Sequence, residues 1–149
     1  MNSNRPVSEL AKLMPEFLQK GETVSFSPQG RSMTPTIKVG DTVTLVACQS
    51  PKRLDVLFYT RDDGKAVLHR LIGFDKNGGY IMRGDGQIVK EYGITVKNII
   101  ARVDSVTRNG KKRKMSGFAF FITSVFAVFR SDVKSVVDKI QMLFKKRAK

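Results

Sequence analysis

Two apolar segments, Asp55-Val-Leu-Phe-Tyr59 and Ala66-Val-Leu-His-Arg-Leu-Ile-Gly-Phe74, decide the fold class of this chain. The polar sequence between them, Arg61-Asp62-Asp63-Gly64-Lys65, is typical of a hairpin turn. Two segments of strand length on either side of such a turn predict an antiparallel pair of β-strands.

Alternating apolar and polar residues indicate further short strands on both sides of this hairpin. They lie at residues 23–26, at residues 42–46, at residues 80–82 after a turn at 76–79, and once or twice within residues 94–106. Several short strands at this spacing, without an internal repeat, predict a mainly β domain, either a small barrel or a coiled sheet.

Helical periodicity marks the two ends of the chain. Residues 8–20 predict a short helix that Ser8 caps and Gly21 ends, although Pro15 lies inside it. Its apolar residues fall at helical spacing on one face. They are Leu10, Leu13, Met14, Phe17 and Leu18.

A second, longer helix is predicted for residues 116–145, after a basic, Gly-containing linker at 108–114. The chain therefore divides into residues 1–22, 23–107 and 108–149. An apolar stripe runs along the long helix at spacings of three and four. It consists of Ile122, Phe126, Phe129, Val133, Val136, Ile140 and Phe144, whereas Arg130, Lys134, Asp138 and Lys139 lie off it.

Composition bounds the chemistry. A length of 149 residues favours a single globular domain. The single cysteine, Cys48, excludes both an intrachain disulfide framework and a cysteine-based zinc site. The single histidine, His69, argues against a histidine cluster, and we expect neither a metal nor a cofactor.

The net charge of +14 is concentrated at one end of the chain. Residues 1–100 carry 14 Lys and Arg against 10 Asp and Glu, whereas residues 101–149 carry 13 against 3. The excess predicts an anionic partner for the last third, a lipid surface or a nucleic acid. The longest apolar run, residues 118–129, is too short to span a bilayer, and residues 1–20 do not read as a signal peptide.

The stretch from Gly30 to Asp41, Gly-Arg-Ser-Met-Thr-Pro-Thr-Ile-Lys-Val-Gly-Asp, is a turn-rich connection that leads into a predicted strand. A serine held on such a connection, here Ser32, is a candidate nucleophile if a base and an oxyanion site lie near it. The only histidine, His69, lies in the second strand of the hairpin, and acids follow at Asp85 and Glu91.

Four blocks in this order, Gly-x-Ser-Met-x-Pro, Gly-Asp, an apolar strand carrying His-Arg, and Arg-Gly-Asp-Gly, resemble the S24/S26 serine peptidases. This family includes type I signal peptidases and LexA-like self-cleaving proteins. The resemblance covers roughly residues 23–106 and implies a coiled, mostly β peptidase domain. Many members of the family use a lysine as the base, whereas this chain has a histidine at that position. In this respect it is similar to one subfamily of signal peptidases that uses histidine.

The resemblance implies a role for each of these residues. Ser32 matches the nucleophile, and His69 stands at the position of the base. Asp85 is the first choice for the carboxylate that orients the imidazole, and Glu91 is the second. A histidine suits this role because its ordinary pKa lies near 6.5, so that it accepts a proton at neutral pH.

The surroundings of the serine supply the remaining candidates. Some signal peptidases carry a hydroxyl two positions before the nucleophile, where this chain has Gly30, so the oxyanion hole would rest on backbone N–H groups such as that of Ser32. Gly30 and Pro35 are expected to fix an awkward backbone around the serine, together with Met33. Asp41 is read as a turn residue and Arg70 as an ion-pair partner, with a direct role in the site as the lesser alternative for each.

The combined expectation is a serine endopeptidase that hydrolyses a precursor or leader peptide through an acyl-enzyme on Ser32. The alternative is a catalytically degenerate member of the same fold that binds a peptide or a partner. Because no spanning segment precedes the serine, we expect a cytoplasmic protein, peripheral on the inner face of the membrane.

The long helix and its basic flanks, residues 108–149, are expected to contact an anionic membrane surface. Packing of the helix onto the β domain is the main rival. Nucleic acid is disfavoured as a partner because the basic segments lack interleaved aromatic residues.

Overall fold

The computed structural model describes residues 7–116 and 118–147. Eight strands, two α-helices and one turn of 3-10 helix at Val96–Asn98 make up the described part of the chain. In chain order they are α1 (Val7–Gln19), β1 (Val24–Phe26), β2 (Thr42–Val46), β3 (Val56–Thr60), β4 (Ala66–Phe74), β5 (Tyr80–Arg83), β6 (Glu91–Ile94), β7 (Ile99–Arg108), β8 (Lys111–Lys114) and α2 (Phe118–Arg147).

The strands form one antiparallel sheet in the order β1-β2-β7-β3-β4-β5-β6, with β8 paired to β7 beyond the end of β3. The prediction of a mainly β domain is confirmed. The sheet is open, so the barrel alternative is wrong. The outermost strands of this order are β1, which leads into the loop that carries Ser32, and β6, which begins at Glu91.

The β3–β4 hairpin forms as predicted and lies in the middle of the sheet. Leu57 pairs with His69 and Tyr59 with Val67, and Gly64 takes a positive φ of 77° in the turn. Both faces of β3 are buried, which explains its continuous apolar sequence. One face contributes to a core under α1, whereas the other, with Leu57 and Tyr59, packs on Leu71, Met82 and Ile94.

One expectation about the second half of the domain is wrong, and one strand there was not predicted. Residues 108–114 are not a linker: Asn109 and Gly110, at φ of 50° and 74°, form the tight turn between β7 and β8. The sequence has no apolar signal for β8, because all four of its side chains are charged and exposed. Strand β6 likewise has no alternating pattern that would predict it, since Glu91-Tyr92-Gly93-Ile94 has little apolar character.

Helix α1 covers nearly the predicted residues and ends at Gln19, before Gly21 at a φ of 79°. It buries Ala11, Met14 and Leu18, but Leu13 is 37% exposed, so its apolar face is narrower than predicted. The side chains of Ser8 and Leu10 lie outside the described residues.

Helix α2 also forms as predicted. It places Ser124 and Ala127 against the domain, while the apolar stripe is exposed from Ile122 to Val136. The side chains of Ile140 and Phe144 lie outside the described residues. Within residues 7–116 and 118–147, neither helix has the length and hydropathy that crossing a bilayer requires.

Candidate active site

The loop between β1 and β2 carries Ser32. It is fixed at its middle and at its last residue. Met33 and Ile37 are buried in the core and anchor its middle. Asp41 closes the loop: it accepts a 2.7 Å hydrogen bond from the Lys38 backbone N–H, and Arg108 donates to it from Nε at 2.7 Å and from one terminal nitrogen at 2.6 Å. Asp41 therefore serves the turn, as expected, and its carboxylate is bound by Lys38 and Arg108 rather than by Ser32 or His69.

The turn between β5 and β6 passes directly over the serine backbone. The Gly86 N–H donates to the Ser32 carbonyl oxygen at 2.8 Å. A Cβ atom on Gly84 would lie 2.5 Å from that same oxygen and 3.1 Å from His69 Nε2. Only glycine fits this position, and its missing side chain is what allows the serine segment and the imidazole to approach each other.

Ser32 and His69 line one cavity of ≈ 370 Å³, a size suited to a small ligand or a few side chains. The polar side chains that line the cavity include Ser32, Arg61, His69 and Gln87. The apolar side chains that line it include Phe26, Met33, Ile37, Phe58, Ala66, Val67 and Leu68.

His69 is almost fully buried, and its Nδ1 faces two polar side chains. Glu91 Oε1 lies 3.0 Å from this nitrogen and the Tyr59 hydroxyl 3.2 Å from it. The sheet explains the meeting: Tyr59 lies two residues along β3 from the partner of His69, and Glu91 pairs with Met82 at the start of β6.

Glu91 is held from three sides. Arg61 donates to it from Nε at 2.9 Å and from a terminal nitrogen at 2.5 Å, and Tyr59 donates from its hydroxyl at 2.8 Å. Burial alone would raise the pKa of the Glu91 carboxyl. The hydrogen bonds from Arg61 and Tyr59 outweigh burial, and the net pKa lies below its ordinary value. Glu91 is therefore ionised at neutral pH.

The pKa of His69 is lowered, mainly because burial disfavours the charged imidazolium; the Glu91 carboxylate opposes this effect only in part. The imidazole is thus neutral at pH 7. With Nδ1 against a carboxylate, the proton belongs on Nδ1, and the lone pair of Nε2 faces Gly84 and the serine segment. This is the tautomer that a general base requires.

The expectation that Asp85 orients the imidazole is wrong in geometry. Both oxygens of Asp85 are engaged elsewhere: Arg70 donates to them at 2.8 and 2.6 Å, and the Thr36 hydroxyl donates to the second. Glu91, the second choice, is the carboxylate at His69. Arg70 is a buried ion-pair partner, as expected, and Asp85 ties the Gly84–Gly86 turn to the serine loop through Thr36.

The other candidate residues of the loop, Gly30, Pro35 and Met33, differ in burial. Gly30 is exposed, takes no positive φ, and has open space where a side chain would begin, so its backbone does not need glycine. Pro35 is exposed, whereas Met33 is buried beneath the serine. The structural support of Ser32 therefore comes from the buried Met33 and from the Gly84–Gly86 turn rather than from Gly30.

Sequence reasoning missed Tyr59 and Arg61. Tyr59 could have been found, since it lies on the same face of the hairpin as His69 once the turn length sets the register. Arg61 carried no such signal, because a charged residue at a hairpin turn is normally solvated.

Two features are absent from residues 7–116 and 118–147. No hydrogen bond joins the side chains of Ser32 and His69 to each other. Such contacts are often long before substrate binds. No three side chains among His, Cys, Asp and Glu converge as a metal site would require.

The open sheet and the pairing of His69 with Glu91 are observed in the structure of this chain itself. In comparisons with known proteins, the sequence matches no protein-family model and no curated protein.

Proposed function

We propose that this protein is a serine endopeptidase with Ser32 as nucleophile, His69 as general base and Glu91 as the carboxylate that orients the base. One observation carries the proposal. His69 Nε2 and the Ser32 backbone lie against the same glycine, while Nδ1 of that imidazole pairs with an ionised carboxylate 3.0 Å away.

The proposed reaction has two steps. Ser32 Oγ attacks the carbonyl carbon of the substrate and gives its proton to Nε2, and the resulting imidazolium is stabilised by Glu91. That proton then passes to the leaving amine as the peptide bond breaks, which leaves an acyl ester on Ser32. A water molecule, deprotonated by the same nitrogen, hydrolyses the ester and restores the serine hydroxyl. Backbone N–H groups at Ser32 would stabilise the oxyanion.

The shape of the cavity supports an extended peptide as substrate. Its wall of Phe26, Ile37 and Leu68 would take an apolar side chain next to the scissile bond. Strand β1 leads into the serine loop and is an edge of the sheet, so a peptide could pair with its free side. A preference for small side chains before the scissile bond is implied by the resemblance to S24/S26 peptidases, as is a precursor or leader peptide as substrate.

The same resemblance extends to the architecture. We propose that the open sheet is of the signal peptidase and LexA type, on the four sequence blocks around Ser32, Asp41, His69 and Asp85. Geometry supports this grouping, because three of these blocks, those of Ser32, His69 and Asp85, come together around Gly84.

A fluorophosphonate probe tests the chemistry. We expect the full-length protein to gain the mass of one phosphonyl group on Ser32. The labelling should be slow, because the described side chains of Ser32 and His69 are not hydrogen-bonded to each other in the structure without substrate. The variants Ser32→Ala and His69→Gln should lose it. Ser27→Ala is the matched control, because Ser27 lies in the same loop and, among the described residues, its hydroxyl bonds to Thr42 alone, at 3.4 Å. Equal labelling of Ser32→Ala and the wild type would refute the nucleophile.

A catalytically degenerate, peptide-binding protein is the second candidate. The observation that favours it is the missing hydrogen bond between Ser32 and His69 within the described part of the chain. Incubation with a mixed peptide library, read by mass spectrometry, separates the two. Cleavage that Ser32→Ala abolishes supports the enzyme, whereas peptide retention without cleavage or labelling supports the binding protein.

A further inference from the structure

Helix α2 rests on the domain through polar contacts to two buried arginines. Arg70 and Arg83 lie opposite each other on β4 and β5, and both are almost fully buried. Arg70 donates to Ser124 Oγ at 2.8 Å. Arg83 donates to the Val128 carbonyl oxygen at 2.9 Å and to the Asp132 carboxylate at 2.5 Å. Residues 124, 128 and 132 recur every four positions, so one side of the helix is fixed against the sheet through a hydroxyl, a backbone carbonyl and a carboxylate.

This arrangement turns the apolar stripe away from the domain. At about 100° per residue, Phe126, Phe129 and Val133 lie on the side of α2 opposite to Ser124. Phe126 is 66% exposed and Phe129 64% exposed. An ordinary surface helix buries such a stripe and exposes its polar side. Here the side that faces the sheet holds Ser124, Ala127 and Val128, and the exposed apolar residues lie on the other sides of the helix: Ile122, Val125, Phe126, Phe129, Val133, Val136 and Val137.

The charges around this stripe are mostly of one sign. Arg130, Lys134 and Lys139 are exposed along α2, and the four exposed side chains of β8 at Lys111–Lys114 precede the helix closely in the chain. Of the two acids on the helix, Asp132 is paired with Arg83 and Asp138 is half-buried. An apolar surface among exposed cations is complementary to an interface that is apolar inside and anionic at its rim.

We propose that α2 binds in the plane of an anionic lipid bilayer, with the stripe from Ile122 to Val136 inserted among the acyl chains. The cations would lie at the level of the lipid headgroups. A second copy of the chain fits this surface less well, because it would bring two sets of cations together. The inference stands apart from the proposed peptidase activity, since none of the stripe residues lines the cavity at Ser32.

Vesicle sedimentation of the full-length protein tests the proposal. We expect co-sedimentation with vesicles of phosphatidylglycerol and phosphatidylcholine, and roughly tenfold weaker partition into pure phosphatidylcholine or at 0.5 M salt. The double variant Phe126→Asp and Phe129→Asp should lose binding at least tenfold. Phe74→Asp is the matched control, because Phe74 is 51% exposed on β4, outside the stripe.

The readings separate the proposal from its rivals. Both aspartates replace exposed side chains, so circular dichroism should show an unchanged fold. Equal partition of the wild type and the double variant would overturn the lipid site. So would failure to bind anionic vesicles at low salt, or a concentration-dependent dimer that the double variant abolishes. Fluorophosphonate labelling in the absence of vesicles should be the same in the wild type and in the double variant. A loss of labelling in the double variant would concern the peptidase proposal alone.

Discussion

Arg70 and Asp85 form a two-bond ion pair inside the domain, with Nε–Oδ1 at 2.8 Å and the terminal nitrogen to Oδ2 at 2.6 Å. Neither side chain has appreciable contact with solvent. The pair joins β4 to the turn that covers Ser32, and it leaves the histidine to a different carboxylate. Two acids near one histidine thus have separate tasks, one structural and one electrostatic.

Asp85→Asn should mainly destabilise the fold. The substitution leaves the Arg70 guanidinium buried without its counter-charge, which costs about 3–5 kcal/mol in comparable buried pairs. Urea unfolding at pH 7 measures it. Asp63→Asn is the control, because Asp63 lies exposed in a turn beside Lys65 and its loss should leave the unfolding midpoint in place. An Asp85→Asn protein as stable as the wild type would contradict the structural role.

The acid limb of the pH–rate profile should move in opposite directions in two variants. Glu91→Gln removes the carboxylate that favours the imidazolium, so the pKa of His69 should fall further and the limb should move to lower pH. Arg61→Gln removes a cation that disfavours the imidazolium, so the limb should move to higher pH. The measurement is kcat/KM on a cleaved peptide between pH 4.5 and 8.

Glu91→Gln should also slow the reaction at pH 7 by up to about 10⁴-fold, because the imidazole of His69 loses the carboxylate that fixes its tautomer and stabilises its charged form. Arg61→Gln keeps the carboxylate and should cost less. Movement of both limbs in one direction, or an unchanged limb in Glu91→Gln, would contradict the assignment of Glu91 to His69.

Replacing Gly84 or Gly30 by alanine should have very different effects on the labelling of Ser32. Gly84→Ala puts a methyl group 2.5 Å from the Ser32 carbonyl oxygen, and backbone must move to admit it. Labelling of Ser32 should fall at least about tenfold, since small displacements of reacting groups are that costly. Gly30→Ala is the control, because nothing lies within 4 Å of its new carbon. Equal labelling of the two variants would contradict the close approach at Gly84.

Stability should fall as the pH is lowered through the titration of His69. The folded pKa lies below the unfolded value near 6.5, so the unfolded chain binds the proton first. The free energy of unfolding should therefore fall from about pH 7 downward, by at most about 1.4 kcal/mol per pH unit from this residue. Urea unfolding at pH 7.5 and 5.5 measures the slope, which should be smaller in His69→Gln. A slope that His69→Gln leaves unchanged would assign the effect to other groups.

Local pattern was enough to predict most of the secondary structure. The β3–β4 hairpin, strand β2 and both helices follow from periods of two and 3.6 residues and from turn residues such as Gly64. Strands β6 and β8 could not be predicted in this way. They are short and polar, and they exist because a neighbouring strand offers backbone hydrogen bonds to them.

The sequence by itself determined a mainly β domain, the loop that holds Ser32, and a short list of polar partners for it. Only the tertiary structure decided which carboxylate meets His69, because strand register and the competing guanidinium of Arg70 assign Asp85 elsewhere. The direction of the α2 stripe was decided in the same way. Helical periodicity shows that an apolar side exists, but contacts to two buried arginines determine which side of the helix faces the sheet.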